Sequence, residues 1–223
     1  VLKITKLIKN MHFDNKIESV LKKYHQRMDA ETALIESESL RLGNGALMAR
    51  RDEFLLSVGV ETAQFLNTLA KAARSKTILE IGTSYGYSTV WLAEAARANH
   101  GKLITLELNA EKAHYAQQQI HDAGLSDFVE FRIGDAIQNI ENAHETYDFI
   151  LLDIWKELYV PCFDAFFPKL NKGAWVIGDN MIFPPSSRPE AMAYQQRVRS
   201  THAFDTVLMP IGSGIEVSCY KAL

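Results

Sequence analysis

Four residues in the second half of the chain have the types and spacing for metal-assisted proton chemistry. Asp153 lies in LLDIWKELY, residues 151–159, and Asp179-Asn180 in IGDN, residues 177–180. Each motif closes a short apolar run, so each puts its polar residues at the end of a buried strand. If the two strands are adjacent and parallel, two carboxylates and an amide oxygen converge on one edge of a sheet. That oxygen-only set is hard and suits Mg²⁺ or Mn²⁺ rather than zinc. Taken singly, either carboxylate reads as a helix cap. Lys156, three residues after Asp153, reads as a surface lysine at a helix start or as a base whose pKa is lowered by a nearby cation and by desolvation.

A second constellation lies upstream. ILEIGTSYGYST, residues 78–89, follows one apolar run and opens a helical stretch. Gly82 and Gly86 allow a tight turn and close approach of a ligand to the backbone. The N–H groups of the next helix, near Ser88, suit a carboxylate. A dinucleotide fingerprint would need G-x-G-x-x-G, but Ser84 and Tyr87 occupy the positions after Gly82. Glu107 ends the next apolar run, where a carboxylate can accept from both hydroxyls of a ribose. Asp135, in Ile133-Gly134-Asp135-Ala136, reads as an acceptor for an adenine amino group or as a helix N-cap. Three such motifs ending three successive strands make one adenosine site.

The elements that position these residues follow from periodicity. Short apolar runs occur at 77–81, 103–107, 128–133, 147–152 and 174–178. Helical stretches at 88–98, 110–123 and 158–170 separate them. This repeated βα pattern predicts a parallel sheet with right-handed crossovers and helices on both faces. After Pro189 comes one more helix. Two strands, 204–209 and 215–220, then meet at Gly212-Ser213-Gly214, so the last strand runs antiparallel. The expected fold is a doubly wound, Rossmann-like, mostly parallel seven-stranded sheet. Its ligands belong at the carboxyl ends of the strands.

The first 42 residues are charged and lack strand alternation. Leu21, Tyr24, Met28, Leu34 and Ile35 recur at helical spacing. Gly43-Asn44-Gly45 marks a turn, and a second helix is predicted from Ala46 to Ala73. We therefore divide the chain into a helical extension, 1–45, and a main domain, 46–223. The two helices read as packing against the body or as a lid or dimer arm, and a homodimer through them is expected.

Bulk properties narrow the function classes. The chain has 223 residues, enough for one α/β domain with an extension. A net charge of -3 leaves no overall basic field for nucleic acid. Cys162 and Cys219 form no metal or disulfide pattern and read as reduced, partly buried thiols. Seven histidines show no ligand spacing with one another or with cysteine. The start, VLKITKLIKN, lacks the pattern of a signal peptide, and no stretch is apolar enough to span a bilayer. A cytoplasmic protein with no membrane partner is expected.

Taken together, ILEIGTSYGYST, GDA, LLDIWKELYVP and IGDNMIFP resemble the metal-dependent class I S-adenosylmethionine O-methyltransferases of the catechol and caffeoyl-CoA group. The resemblance spans residues from about 50 to the end, and Asp-Ile-Trp-Lys followed by Tyr159 leans toward the catechol branch. It implies S-adenosylmethionine and a divalent cation, Mg²⁺ or Mn²⁺, as cofactors and a small phenolic acceptor as substrate. By the same resemblance Asp153, Asp179 and Asn180 are the metal ligands. Lys156 is the catalytic base, acting with Asp153. Trp155 packs against adenine, Glu107 holds the ribose and Ser88 meets the methionine carboxylate. Val58-Gly59 lines the methionine end. Glu80, Gly82, Ser84, Gly86, Leu108, Asp135, Ala136 and Asp153 complete the expected cofactor-binding set.

The chain departs from the catechol pattern in two places. No match is found for the glutamate that binds the acceptor's second hydroxyl, Glu216 falling inside the last strand, and MIFPPSSRPE is divergent. Tyr85, Tyr87 and Phe183 read as acceptor-pocket lining or as ordinary packing. Two other functions fit parts of the sequence. A tRNA hydroxyuridine O-methyltransferase would use the lysines at 3, 6, 9, 16, 22 and 23, against an overall negative charge. A non-catalytic cofactor-binding protein would not need the set Asp153, Lys156, Asp179 and Asn180.

Overall fold

A computed structural model describes residues 13–42 and 53–221; Gly43-Asn44-Gly45 and the lysines at 3, 6 and 9 lie outside the described residues. Fourteen regular elements, apart from short 3₁₀ turns, occur there in the order α1 (Asn15–Leu42), α2 (Val60–Ala72), β1 (Thr77–Ile81), α3 (Tyr87–Ala98), β2 (Lys102–Glu107), α4 (Ala110–Asp122), β3 (Val129–Ile133), α5 (Ala136–Glu141), β4 (Tyr147–Leu152), α6 (Tyr159–Phe166), β5 (Leu170–Gly178), α7 (Arg188–Ser200), β6 (Phe204–Met209) and β7 (Ile215–Tyr220).

The strands form one sheet in the order β3-β2-β1-β4-β5-β7-β6. All neighbours pair in parallel except those of β7, which is antiparallel to both β5 and β6. The order reverses between β1 and β4, and a ligand crevice opens at the carboxyl ends of strands on either side of such a switch. Alternate strand residues feed two apolar layers. Ile78, Leu103, Phe149, Leu151 and Ile177 face a cluster with Trp91 and Leu66. Leu79, Ile104, Ile150, Leu152 and Val176 face one with Phe163, Phe166 and Tyr194. Ile17, Val20, Leu21 and Tyr24 of α1 are buried in the first cluster, so α1 is packed on the body.

The structure corrects three element ranges and adds one short helix. The helix expected from Ala46 to Ala73 is helical only from Val60 within the described residues; residues 55–59 have no regular structure. Phe54, Leu55 and Val58 are buried there at a spacing that resembles a helix, but Gly59 has φ 83° and holds the chain out of helical geometry until it caps α2. The helix expected over 158–170 is helical only in α6, with 3₁₀ turns on either side and Pro168 in the second. β5 begins at Leu170 rather than Ala174; its first four residues are half-buried or exposed, which hides them from a hydrophobic pattern. The short helix α5 was not anticipated.

Candidate functional site

The sheet builds the site from backbone contacts. Asp153 N–H donates to Ile81 O at 2.9 Å, and Asp179 N–H donates to Leu152 O at 3.1 Å. Both residues therefore continue their strands by one ladder bond and then leave the sheet side by side. Asn180 takes a left-handed conformation, φ 54°, which asparagine tolerates.

Lys156 lies between them. Its Nζ donates to Asn180 Oδ1 at 3.0 Å, to Tyr159 OH at 2.6 Å and to Ile154 O at 2.9 Å. Tyr159 is fully buried, its hydroxyl within 2.9 Å of Leu152 O and 3.2 Å of Asp179 O. Desolvation raises the carboxyls of Asp153 and Asp179, and it lowers the Lys156 ammonium against the pull of both carboxylates. The buried Asp179 Oδ1 has no hydrogen-bond partner. An orphaned carboxylate oxygen beside a second carboxylate and an amide oxygen has the donor chemistry of a hard cation site. Among the described residues no three His, Cys, Asp or Glu side chains gather as a metal cage. The candidate set differs by having one amide.

The glycine loop, residues 82–86, lies next to this cluster. A Cβ on Gly82 would run into the carbonyl oxygen of Asp153, and Gly82 has φ 105°, so only glycine lets β1 and β4 end this close. Gly86, φ 89°, caps α3 with no side-chain cap bond, leaving the helix's first N–H groups to a ligand. The Glu107 carboxylate arches over the loop, accepting from Ser84 N at 2.7 Å and from Asn109 N at 2.9 Å. Beyond it, Leu108, Ile133 and Trp155 are 75%, 43% and 41% exposed. These exposed apolar side chains, at the ends of β2, β3 and β4, suit the faces of a flat ring.

The remaining candidates fall at various distances from the open edge. Glu80 is fully buried under the loop and accepts from Ser88 Oγ, Thr89 Oγ1 and Thr105 Oγ1, each at 2.6 Å. Burial pushes its carboxyl up to about 7 against these three donors. The Ser88 hydroxyl is thus turned toward Glu80, beneath the loop. Asp135 caps α5, accepting from Gln138 N at 2.9 Å, as its cap reading requires. Ala136 opens that helix. Val58 and Gly59 border a cavity with Met28, Thr62 and Gly212. Glu216 is buried in β7 and accepts from Gln195 at 2.7 Å, Arg199 at 2.5 Å and Thr206 at 2.7 Å. That carboxylate is committed to holding α7 on the sheet. Ile182 and Phe183 are exposed, and their N–H groups both donate to Ser213 O, at 2.9 and 3.0 Å. Cys162 is buried and Cys219 half-buried, neither in a disulfide.

Sequence reasoning missed the contacts from α1. Tyr24 OH donates to Tyr85 O at 2.5 Å, and the Arg27 guanidinium stands 4.0 Å from the Tyr85 ring centroid. Their only sequence signal is that Arg27 and Glu31 stand four apart, which is common on exposed helices.

Comparison with known proteins shows the family and the fold. The model of the O-methyltransferase family matches residues 47–218. The chain is 38% identical over 131 residues to the catechol O-methyltransferase of Niastella koreensis, a match covering 57% of this chain and 59% of that one. It thus spans under two thirds of that relative's length. It is 32% identical over 183 residues to the catechol O-methyltransferase of Sus scrofa, covering 76% of this chain and 95% of that one. It is 27% identical over 182 residues to caffeoyl-CoA O-methyltransferase 5 of Nicotiana tabacum, covering 72% and 75%. Among solved structures, the O-methyltransferase from Bacillus cereus in complex with SAH superposes with a TM-score of 0.71 at 25% identity, covering 97% of this chain and 96% of that one. The Streptomyces achromogenes O-methyltransferase TomG, in complex with SAM, gives 0.76 at 18% identity, covering 99% and 96%, a likeness of fold.

Proposed function

This chain belongs to the O-methyltransferase family, and we propose that it is an S-adenosylmethionine-dependent enzyme that methylates a hydroxyl of a small catechol-like or phenolic acceptor, with a divalent metal ion. The observation that carries the reading is the meeting of Asp153, Lys156, Asp179 and Asn180 at two adjacent strand ends, with Asp179 Oδ1 unpartnered. The division into an extension, 1–45, and a methyltransferase domain, 46–223, belongs to the same proposal.

S-adenosylmethionine brings a sulfonium whose leaving group is already good. The protein's task is then alignment and deprotonation of the acceptor. Glu107 would hold the ribose, the N-terminus of α3 would meet the methionine carboxylate, and Leu108, Ile133 and Trp155 would flank the adenine. Holding both reactants in line can lower a barrier by roughly 7–11 kcal/mol at best. A phenol has a pKa near ~10 by analogy with tyrosine, so it must lose its proton to react at neutral pH. Asp153, Asp179 and Asn180 would hold a Mg²⁺ or Mn²⁺ ion, which supplies positive charge beside the acceptor oxygen. Lys156, whose pKa is lowered by burial against the pull of Asp153 and Asp179, takes the acceptor proton. The resulting ammonium has Tyr159 OH, Ile154 O and Asn180 Oδ1 ready to accept from it. Ile182 and Phe183 wall the acceptor side.

The test is transfer of labelled methyl from S-adenosylmethionine to a panel of catechols, hydroxycinnamates and flavonoids, with Mg²⁺ or with EDTA, beside bulk tRNA. Metal-dependent labelling of a vicinal diol supports the reading. Labelling of tRNA alone, or undiminished labelling in EDTA, rejects it.

A further inference from the structure

One carboxylate ties the N-terminal helix to the loop that faces the cofactor. Glu31 on α1 accepts from Arg27 Nε at 2.6 Å with one oxygen and from Leu55 N at 2.8 Å with the other. Arg27 also donates to Glu53 O at 3.0 Å. The irregular segment 53–55 is therefore held at two backbone groups by a single ion pair. Leu55 continues the line, its carbonyl accepting from Ser84 Oγ at 3.3 Å. Ser84 N in turn donates to Glu107 at 2.7 Å. A second route runs from Tyr24, whose hydroxyl donates to Tyr85 O and would lie 3.2 Å from any Cβ on Gly86. Arg27 closes the two routes by standing over the Tyr85 ring.

A helix that only packed on the body would need none of this. The apolar face of α1, with Ile17, Val20 and Leu21, is already buried. The polar line instead ends on backbone groups of the loop and of the segment that precedes α2. Neither part has regular structure to hold it: Ser84 has φ 48° and residues 55–59 make no helix or strand. Gly82 N and Thr83 N donate to Leu106 O, both at 3.1 Å, and Gly86 N donates to Thr83 O at 2.9 Å, so the tip at Ser84 and Tyr85 is the part of the loop that the α1 contacts reach; such a tip opens at low cost unless something outside it fixes its shape. We propose that Tyr24, Arg27 and Glu31 are positioning residues for the cofactor, a brace that holds the 82–86 loop and the 53–59 segment in their ligand-binding shape. They act through the loop and touch no reacting atom. Preorganising a loop lowers the ordering cost of binding, so the brace sets affinity for S-adenosylmethionine more than the rate of transfer. This inference rests on the placement of the cofactor against that loop and Glu107.

The experiment is calorimetric titration of the full chain with S-adenosylhomocysteine, for wild type, Tyr24→Phe, Glu31→Gln, Glu31→Ala and Glu107→Ala. Tyr24→Phe keeps the ring in its packed place and removes one hydroxyl, so it serves if Glu31→Ala does not fold. The expected result is weaker binding by about tenfold in Glu31→Ala and by a smaller factor in Glu31→Gln and Tyr24→Phe, the size of one or two lost hydrogen bonds. The rise in melting temperature at saturating ligand should shrink in step. Unchanged affinity in Tyr24→Phe and in the folded Glu31 variants, with only the melting temperature of the free protein lowered, overturns the brace. Unchanged affinity in Glu107→Ala overturns instead the placement of the cofactor.

Discussion

Lys156 donates from Nζ to Asn180 Oδ1 at 3.0 Å, joining the turn after β4 to the turn after β5. Asn180 Oδ1 is also one of the three oxygens proposed for a divalent cation, so the ammonium and the metal draw on one acceptor. Removing Asp179 deletes a proposed ligand and a buried carboxyl that has no partner on one oxygen. Asp179→Asn and Asp153→Ala are expected to keep the fold and lose about 100-fold or more in turnover, the scale of losing one transition-state charge contact. Saturating Mg²⁺ should raise the melting temperature of wild type, since a ligand at a hundred times its Kd adds about 2.7 kcal/mol. The shift should vanish in both variants. Full turnover of wild type in EDTA would sink the metal reading.

The base can be separated from the cation that neutralises the site. Lys156→Arg keeps a positive charge but cannot give up its proton near neutrality. Lys156→Ala removes both, and the expected loss in kcat at neutral pH is about 10²–10⁴-fold for either, the usual range for a general base. Raising the pH ionises more of the acceptor itself, so a pH–rate profile should show partial recovery for Lys156→Ala. A variant profile parallel to wild type across that range counts against a base role.

The strand ends were legible because buried parallel strands are continuous in apolar residues and stop at a glycine or a carboxylate. The same pattern puts Glu107, Asp153 and Asp179 on one edge of the sheet. Less legible was anything fixed by a non-periodic contact. Phe54, Leu55 and Val58 mimic a helical face, yet the backbone of 53–55 is held by Glu31 and Arg27 from 24 to 26 residues away in sequence. The pair Arg27 and Glu31 looks in sequence like any i,i+4 pair. Asp135 had two readings, and its bond to Gln138 N supplies the cap without deciding what its other oxygen meets. Glu80 belongs to the cofactor-binding set that the resemblance implies, and its burial under Ser88, Thr89 and Thr105 puts it one layer beneath the loop.

That burial gives Glu80 a pH signature. Its folded pKa, about 7, lies above the ordinary 4.5, so its contribution to stability is complete below pH 4.5 and is lost as pH rises through 7. The difference corresponds to about 3 kcal/mol. Glu80→Gln carries no such proton, and the three hydroxyls can turn to suit an amide. Its stability relative to wild type should therefore rise between pH 5.5 and 8, read as the difference in urea midpoints at fixed m-value. A constant difference across that window means that Glu80 is ionised in the fold throughout.

The last prediction concerns the glycine that makes room for Asp153. Gly82 ends β1 with φ 105°, and a Cβ there would meet the Asp153 carbonyl and the Ile154 side chain. Asp153 cannot retreat without breaking its bond from N–H to Ile81 O, which keeps β1 and β4 in register. Gly82→Ala therefore combines a strained backbone with an overpacked contact, and a loss of about 2–5 kcal/mol in stability is expected. Gly173, with φ 80° and nothing within 4 Å of its would-be Cβ, is the control for backbone strain alone. Gly173→Ala should cost about 1–2 kcal/mol and leave S-adenosylhomocysteine binding intact. If Gly82→Ala unfolds no more readily than Gly173→Ala and binds the ligand as wild type does, then the close approach of β1 and β4 is not what positions Asp153 against the cofactor loop.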